Sequence, residues 1–482
     1  MRFTVIGHSC LYIETDAGTI LVDPWLFGSA FWRSWWHYPP SAAPTREQLA
    51  PDYLYLTHHH FDHFHYPSMR KIDKRTQVLV PRFGVDVMPA EVRSLGFEAV
   101  DELPHGDMVE LGAGVAVGSF QYGFDDTAFA VRDRSSAIVD FNDCKIRGKA
   151  LDHLRDQVGH VSVMLKSHSY AQTYPVSYTA EDPSDLERIT DETYLADFAA
   201  VAAQLQPDHA VPFGSMVGFL HPDGLHINER LVTPAMVAER FAEFGGPATT
   251  TVEEMVPGDS WSVDDGFSLA DNDWYSKRDH HLAAMAGAVA PKIEAQIAHE
   301  AAITLDWDVF RTHFEEFLAA LPPVVNKLVA HRPITFVVPS AEPEIYWSVD
   351  IGSRNVSRAP VPPANHACLF HLSEGVLAEA IERRISHFMQ GIMRSHTELR
   401  RGGLASDLTF WGLLMVWEIG YLPIQKNLTK RVIDTARRRR REFVDFAPLF
   451  QGQKGFDKLT SNFAPEAVDA PKFTDVGVTQ SR

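Results

Sequence analysis

The run Thr57-His58-His59-His60-Phe61-Asp62-His63 places histidines and a carboxylate at the spacing that builds a two-metal hydrolytic site. On an extended segment His58 and His60 stand two apart and point the same way, so both imidazoles reach one metal. Asp62 and His63 follow where the backbone turns toward a helix, and their side chains reach a second position a few ångströms away. The first position is nitrogen-rich and the second is mixed. Neutral imidazole with carboxylate suits zinc, iron or manganese, and a pair of such ions can share a bridging water that becomes a hydroxide nucleophile near neutral pH. The competing reading is a histidine-rich surface loop that binds metal adventitiously; a strand before the motif and a helix after it argue against that.

The element that must deliver these side chains is the strand Tyr53-Leu54-Tyr55-Leu56, which ends at the motif. Upstream, the alternating run Phe3-Thr4-Val5-Ile6 reads as an opening strand that closes at Gly7 and His8. Downstream, the apolar run from Ala137 through Phe141 reads as a strand that presents Asp143 at a sheet edge, whereas Asp140, three residues earlier, faces the opposite side. His168, in Ser167-His168-Ser169-Tyr170, is a candidate for the substrate cleft, set against the default of a solvated loop histidine. His105, in Leu103-Pro104-His105-Gly106-Asp107, belongs to a turn.

His58-x-His60-x-Asp62-His63 resembles the signature of the metallo-β-lactamase superfamily. The opening Val5-Ile6-Gly7-His8-Ser9-Cys10 and the run Ile20-Leu21-Val22-Asp23-Pro24-Trp25-Leu26 resemble its lactonase and phospholipase D-like branch. A closer resemblance is to the metallo-β-lactamase-like region of the CMP-N-acetylneuraminate hydroxylase family. It rests on Asp23-Pro24-Trp25-Leu26 with Gly28, Ala30-Phe31 and Trp35-Trp36, on His63 with Tyr66-Pro67, on Asp143-Cys144, and on Pro212-Phe213-Gly214 with His221-Pro222. These residues cover about the first half of the chain.

The resemblance implies an αββα sandwich with His58, His60, Asp62 and His63 as metal ligands, Asp143 as a bridging carboxylate and His221 as a late second-site ligand. It also sets His8 near the metal pocket, as a support or a substrate contact, with a core histidine as the equal alternative. One departure matters. The superfamily usually draws a third first-site histidine from a loop after the next hairpin, and Ser119 to Thr127 contains none. Asp125 or Asp126, the latter taken as the candidate ligand, can substitute with oxygen, which hardens the site toward iron or manganese. The alternative is a weakly held or lost first metal and a mononuclear centre.

Composition is that of an ordinary globular chain: 482 residues, 45% hydrophobic and 22% charged. Cys10, Cys144 and Cys368 are too widely separated to form a disulfide framework, which favours a reducing compartment. No basic start leads into an apolar run, and no stretch is apolar enough to span a bilayer, so the expectation is a cytoplasmic protein. A formal net charge of −19 argues against nucleic acid as a partner. The exception is Arg437 to Arg441, read as a solvated helix face rather than a phosphate-binding patch.

The chain reads as an α/β protein in several parts. Residues 1–270 form the metal-binding catalytic domain, 271–330 a helical connecting segment, 331–466 a smaller α+β domain and 467–482 a flexible tail. The third part shows strands at Ile334-Thr335-Phe336-Val337-Val338 and Ile345 to Asp350, then a helix from Glu374 to Phe388. That order weakly resembles a sterol-carrier module, which implies an apolar pocket or a homo-oligomer contact. The aromatics Phe31, Trp32, Trp35, Trp36 and Tyr38 are candidates for a wall over the metal pocket, with core packing or an oligomer contact as equal alternatives.

Two enzymatic readings follow. In the first, a hydroxide held between two divalent ions attacks an ester, lactone or phosphodiester of a small molecule, Asp62 fixes the nucleophile or shuttles a proton, and His168 or His8 contacts the leaving group. In the second, a non-haem diiron centre hydroxylates its substrate. The hydroxylase family depends on an iron-sulphur centre built from paired cysteines and histidines, and no cysteine here sits in such a pair, so electrons come from a separate protein. Hydrolysis is placed first and oxygenation second. A non-catalytic metal-binding scaffold is the remaining class.

Overall fold

The computed structural model describes residues 1–325, 331–338 and 345–443. The tail 467–482 and the end of the third segment lie outside the described residues.

Two large sheets stack face to face. The first has eight strands in the order Gly266–Ser268, Ser260–Ser262, Arg2–Gly7, Cys10–Thr15, Gly18–Val22, Tyr53–Tyr55, Gln77–Pro81 and Val100–Leu103. The second has seven, in the order Thr251–Val252, His209–Pro212, Val163–Lys166, Ala137–Asp140, Asp126–Arg132, Val115–Tyr122 and Met108–Gly112. Phe3, Val5, Ile13 and Val22 of the first sheet interdigitate with Val117, Phe129, Ile138 and Leu165 of the second. The outer face of the first sheet packs Leu21, Leu54 and Val78 against Met69, Met88 and Val92. These come from the helices Tyr66–Met69 and Val87–Ser94. The outer face of the second packs Phe120, Ala130 and Met164 against Leu151, Leu154 and Phe198. These come from the helices Gly148–Val158 and Asp191–Leu205. The result is an αββα sandwich, and it explains why Val115–Tyr122 is buried at every position: one face meets the other sheet and the opposite face meets helices.

Parallel pairing positions the chemistry. Gly18–Val22, Tyr53–Tyr55 and Gln77–Pro81 run parallel, as do Ala137–Asp140, Val163–Lys166 and His209–Pro212. Parallel neighbours end on the same edge, so Asp23, Thr57, Asn142, Ser167 and Phe213 emerge close together although the chain separates them widely.

A six-stranded sheet occupies the C-terminal half, in the order Tyr178–Ala180, His396–Leu399, Cys368–His371, Ile334–Val338, Ile345–Asp350 and Asn355–Ala359. Its first strand comes from within residues 1–270, so the two halves share hydrogen bonds. Phe310, Phe314 and Phe317 of the helix Trp307–Ala320 pack with Phe336, Phe370, Phe410 and Trp411 to form its core. The helix expected over Glu374 to Phe388 stops sooner. It spans Glu374–Glu382, and a separate 3-10 turn, Ser386–Gln390, follows because Arg384 adopts a left-handed conformation, φ 55°.

Two sequence expectations are narrowed by the structure. Trp36 and Tyr38 do not face the metal motif. They pack with Leu220, Leu282 and Ile293, two of which lie on the helix Arg278–Ala301, because Trp35–His37 pairs as a strand with Val217–Phe219 and alternate side chains point to opposite sides. The arginine run is solvated at Arg437, Arg438, Arg440 and Arg441, as expected, and departs from that reading only at Arg439. The helix Lys430–Arg438 ends inside it, Arg438 pairs with Asp107 at 2.6 Å, and Arg439 is buried against Glu442 and the Gly123 carbonyl. Among the described residues, no helix is long and apolar enough to cross a membrane.

Candidate metal centre

The motif begins where the strand Tyr53–Tyr55 leaves the first sheet. Thr57 is tied there by Asp23, at the end of the adjacent parallel strand: the Thr57 N–H donates to Asp23 Oδ1 at 2.8 Å and its hydroxyl to Oδ2 at 2.6 Å. Asp23 Oδ2 also accepts from Asn142 Nδ2 at 2.8 Å and faces His63 Nδ1 at 2.7 Å. One buried carboxylate therefore joins both sheets and fixes the His63 ring, leaving Nε2 as the free end. His8, Asp23 and Asn142 all take left-handed backbone conformations, φ 42°, 44° and 46°. Such conformations are uncommon away from glycine and persist only where the surroundings over-determine them. Gly7 precedes the first of these, and a Cβ there would lie 2.2 Å from His37 Nδ1.

Two groups of donor atoms form, in each of which all the atoms lie within 4.8 Å of one another. The first comprises His58, His60 and Asp143, and the second His8, Asp62 and His63. In the first, His58 Nε2 lies 2.9 Å from His60 Nδ1. In the second, Asp62 Oδ2 lies 2.8 Å from His8 Nε2 and 3.3 Å from His63 Nε2. Asp143 Oδ2 stands 3.5 Å from His63 Nε2, so this carboxylate touches both groups. The hairpin turn contributes two more carboxylates: Asp125 Oδ2 is 3.7 Å from His60 Nε2 and Asp126 Oδ1 is 3.9 Å from His58 Nε2.

Several of these atoms are buried without a well-formed hydrogen bond, namely His63 Nε2, Asp62 Oδ1 and Asp125 Oδ2. Unsatisfied buried donors and acceptors are costly, and converging imidazole nitrogens and carboxylate oxygens fit a transition-metal ion. His221 belongs to neither group. It caps the 3-10 helix Pro222–Arg230, accepting from the Asp223 N–H at 3.3 Å, and its Nε2 is buried without a partner. His168 is buried with Nδ1 unpartnered, and it too is outside both groups. Asp140 is held by Asn142 through its N–H and Nδ2, both at 3.0 Å.

Electrostatics follow the same division. Burial, with His63 and His60 beside it, holds His58 well below the ordinary histidine range, and burial holds His60 down as well. Burial also opposes charge on His63, but the Asp62 and Asp23 carboxylates outweigh it and raise that pKa. For Asp62 and Asp143 burial is outweighed by His63, which keeps both carboxyls low. Asp126 is raised by burial and by its neighbours Asp125 and Asp143. Burial brings His168 down to about 3, a neutral ring.

The C-terminal half roofs the first group. Phe388, from the turn Ser386–Gln390, lies with its ring centroid 5.2 Å from that of His60 and 4.7 Å from that of Phe61, and Phe31 completes the cluster. Glu418 on the helix Leu404–Glu418 anchors the turn. Its carboxylate accepts from the Ser386 N–H at 2.9 Å, the Ser386 hydroxyl at 2.6 Å and the His387 N–H at 2.8 Å, and faces His387 Nδ1 at 2.6 Å. Trp32 Nε1 donates to Glu379 and Trp35 Nε1 to the Gly391 carbonyl at 2.9 Å, adding further ties.

The profile of the beta-lactamase superfamily domain matches residues 2–160. This part of the chain is similar to the beta-lactamase superfamily domain. Individual relatives match over a longer stretch of the chain. A Rieske 2Fe-2S iron-sulfur protein of Mycobacterium tuberculosis is 31% identical over 254 residues, 49% of this chain and 48% of that protein. The cytidine monophosphate-N-acetylneuraminic acid hydroxylase of Mus musculus is 24% identical over 244 residues, 48% of this chain and 41% of that protein. The chain thus spans about half the length, or less, of these curated relatives. Among solved structures, isothiocyanate hydrolase from Delia radicum gut bacteria aligns with a TM-score of 0.40 at 16% identity, covering 54% of this chain and 98% of that one. The diiron β-hydroxylase CmlA from Streptomyces venezuelae aligns with a TM-score of 0.36 at 18% identity, covering 53% of each chain.

Sequence reasoning missed Asp23 as the residue that orients His63. The signal was its place directly after a strand, in Asp23-Pro24, but its partners Thr57, His63 and Asn142 become neighbours only once the strands pair. Phe388 and Glu418 carried no signal, because nothing local distinguishes them from core.

Proposed function

We propose that His58, His60 and Asp143 hold one metal ion and His8, Asp62 and His63 a second, that Asp125 and Asp126 add oxygen donors to the first, and that the loaded centre is an iron oxygenase that hydroxylates a small molecule with electrons from a separate protein. The observation that carries this reading is the donor set. Where a further histidine is usual, two aspartates face His58 and His60, and carboxylate oxygen favours iron or manganese over zinc. The identity with the hydroxylases and with an iron-sulfur protein supports the same direction. When bound, iron supplies redox chemistry with dioxygen that zinc does not.

The chain's own residues have definable tasks in this reading. Asp23 holds the His63 ring so that Nε2 faces inward, the carboxylate–histidine support that orients metal ligands. Asp143 joins the two groups. Phe31, Phe61 and Phe388 cover His60 and keep bulk water off that side. Hydrolysis is the second reading, favoured by Asp62: its Oδ1 is buried without a partner beside the second group, a position from which a carboxylate can orient a water and take its proton.

The deciding experiment reduces iron-reconstituted protein without oxygen and then admits oxygen. The oxygenase reading expects oxygen consumption that Asp62→Ala abolishes. Activity on ester, lactone or phosphodiester substrates with zinc, and no oxygen consumption with iron, supports hydrolysis instead.

A further inference from the structure

We propose that His371, His396 and Glu398, with His226 beside them, form a binding site for a zinc-class divalent cation on the six-stranded sheet, separate from the two donor groups above and independent of the reaction proposed there. His371 ends the strand Cys368–His371 and His396 opens the strand His396–Leu399; the two residues pair antiparallel and stand directly opposite each other. Alternation sends Cys368, Phe370, Thr397 and Leu399 into the core, so His371, His396 and Glu398 share the opposite face. Cross-strand neighbours in that position have Cβ atoms about 4.5–5.5 Å apart, close enough for two imidazoles to converge on one ion. The two ring centroids lie 6.0 Å apart. Glu398 adds the oxygen donor. Its Oε1 lies 3.0 Å from His371 Nε2, yet no well-formed hydrogen bond joins them, and that nitrogen is buried without another partner.

Neighbouring side chains support the cluster. The strand Tyr178–Ala180 lies beside His396–Leu399, and the Thr179 hydroxyl meets His396 Nε2 at 3.3 Å, the kind of outer contact that orients a ligating ring. Ser177 brings in a third histidine: its carbonyl accepts from the Thr397 N–H at 3.0 Å, and its hydroxyl lies 3.3 Å from Nε2 of the exposed His226, on the 3-10 helix Pro222–Arg230. Burial and the neighbouring His371 hold His396 below the ordinary histidine range, so near neutral pH this ring is in the uncharged form that ligates metals. His371 is 36% exposed and Glu398 51%, so an ion reaches them without any opening of the fold. The donors are gathered less tightly than in the two buried groups, and half-exposed side chains have room to close on an ion. Three imidazoles and a carboxylate make the mixed nitrogen and oxygen set of a four-coordinate zinc ion. His226 precedes residue 270 and the other donors belong to the C-terminal sheet, so a bound ion ties the two halves across a seam that Arg394 and Asp223 already bridge at 3.1 Å.

The test titrates the full chain with Zn2+ against a chromogenic chelator in wild type, His371→Ala, His396→Ala and the control His280→Ala, which alters an exposed histidine elsewhere. Wild type and His280→Ala are expected to take up one more equivalent than the other two. In His371→Ala and His396→Ala the affinity for that ion should fall by at least about 100-fold, since outer contacts alone are worth about 10–100-fold. Zinc should also raise the unfolding temperature more in wild type than in these two variants. Equal uptake in all four proteins overturns the proposal, and so does an equal loss in His280→Ala, which marks adventitious surface binding. Should neither variant fold, carbethoxylation of wild-type histidines is mapped by mass spectrometry. Slower labelling of His371 and His396 with zinc present supports the site, and an unaltered rate overturns it. The metal centre is tested apart: zinc lost entirely in His371→Ala upholds this site and refutes the centre, whereas uptake that His371→Ala leaves intact overturns this site and leaves the centre standing.

Discussion

Replacing Asp23 by asparagine perturbs the centre without touching a proposed ligand. Asparagine tolerates the left-handed conformation found at this position, φ 44°, so backbone strain is not the variable. What changes is the acceptor count. Asp23 Oδ1 accepts from the Thr57 N–H, while Oδ2 serves the Thr57 hydroxyl, Asn142 Nδ2 and His63 Nδ1. An amide offers one oxygen and one NH2. With its oxygen toward His63, the NH2 opposes the Thr57 N–H, leaving a buried donor unsatisfied at a cost of about 1–3 kcal/mol. His63 also loses a charged acceptor, and removal of such a support typically lowers metal affinity by about 10–100-fold, or roughly 1.4–2.7 kcal/mol. Chelator competition measures the affinity and thermal unfolding of the metal-free protein measures the stability, so the two costs separate. Lower stability with unchanged metal affinity would refute the orienting role of Asp23 and leave it a purely structural tie.

Three further outcomes follow from the same geometry. Glu418→Gln should release the turn Ser386–Gln390, raising KM for substrate more than it alters metal content, checked by steady-state kinetics and elemental analysis; a kcat effect with unchanged KM contradicts the roof. The Glu418 carboxyl is held well below its ordinary range, with burial outweighed by hydrogen bonds from His313 and His387, so its contribution to stability is present above the ordinary carboxyl pKa and is lost as pH falls through and below it. Denaturant titrations from neutral to acidic pH should therefore show a smaller acid-side loss in Glu418→Gln than in wild type, and parallel profiles refute this. Trp36→Ala, by contrast, should destabilise the fold by about 3–5 kcal/mol, as large-to-small changes in cores do, and leave metal stoichiometry of the folded protein intact, measured by denaturant melts with elemental analysis.

The sandwich was legible because its strands carry short apolar runs and its motif is local. His58, His60, Asp62 and His63 lie within six residues, and extended geometry alone separates the first two from the last two. What chain spacing does not carry is who sits opposite. Asp23 meets His63 through the parallel pairing of Gly18–Val22 with Tyr53–Tyr55, and Phe388 reaches His60 through the packing of another sheet altogether. The aromatic cluster from Phe31 to Tyr38 shows the same limit: composition marked it as one surface, but strand alternation sends Trp36 to the helix Arg278–Ala301 while Trp35 faces His8 at 5.9 Å. For the arginine run, counting charges along the chain gave a solvated face. That holds for four of the five, but a helix end and the acceptors Gly123 and Glu442 turn Arg439 inward.

Metal identity and stoichiometry, measured on protein purified without added metal or a histidine tag, test the central claim most directly. Elemental analysis with Mössbauer spectroscopy should find two irons per chain in a coupled pair, one for each donor group, and Asp143→Ala should disturb both sites because that carboxylate touches both groups. A single metal insensitive to His8→Ala, or no stoichiometric metal at all, would contradict the account.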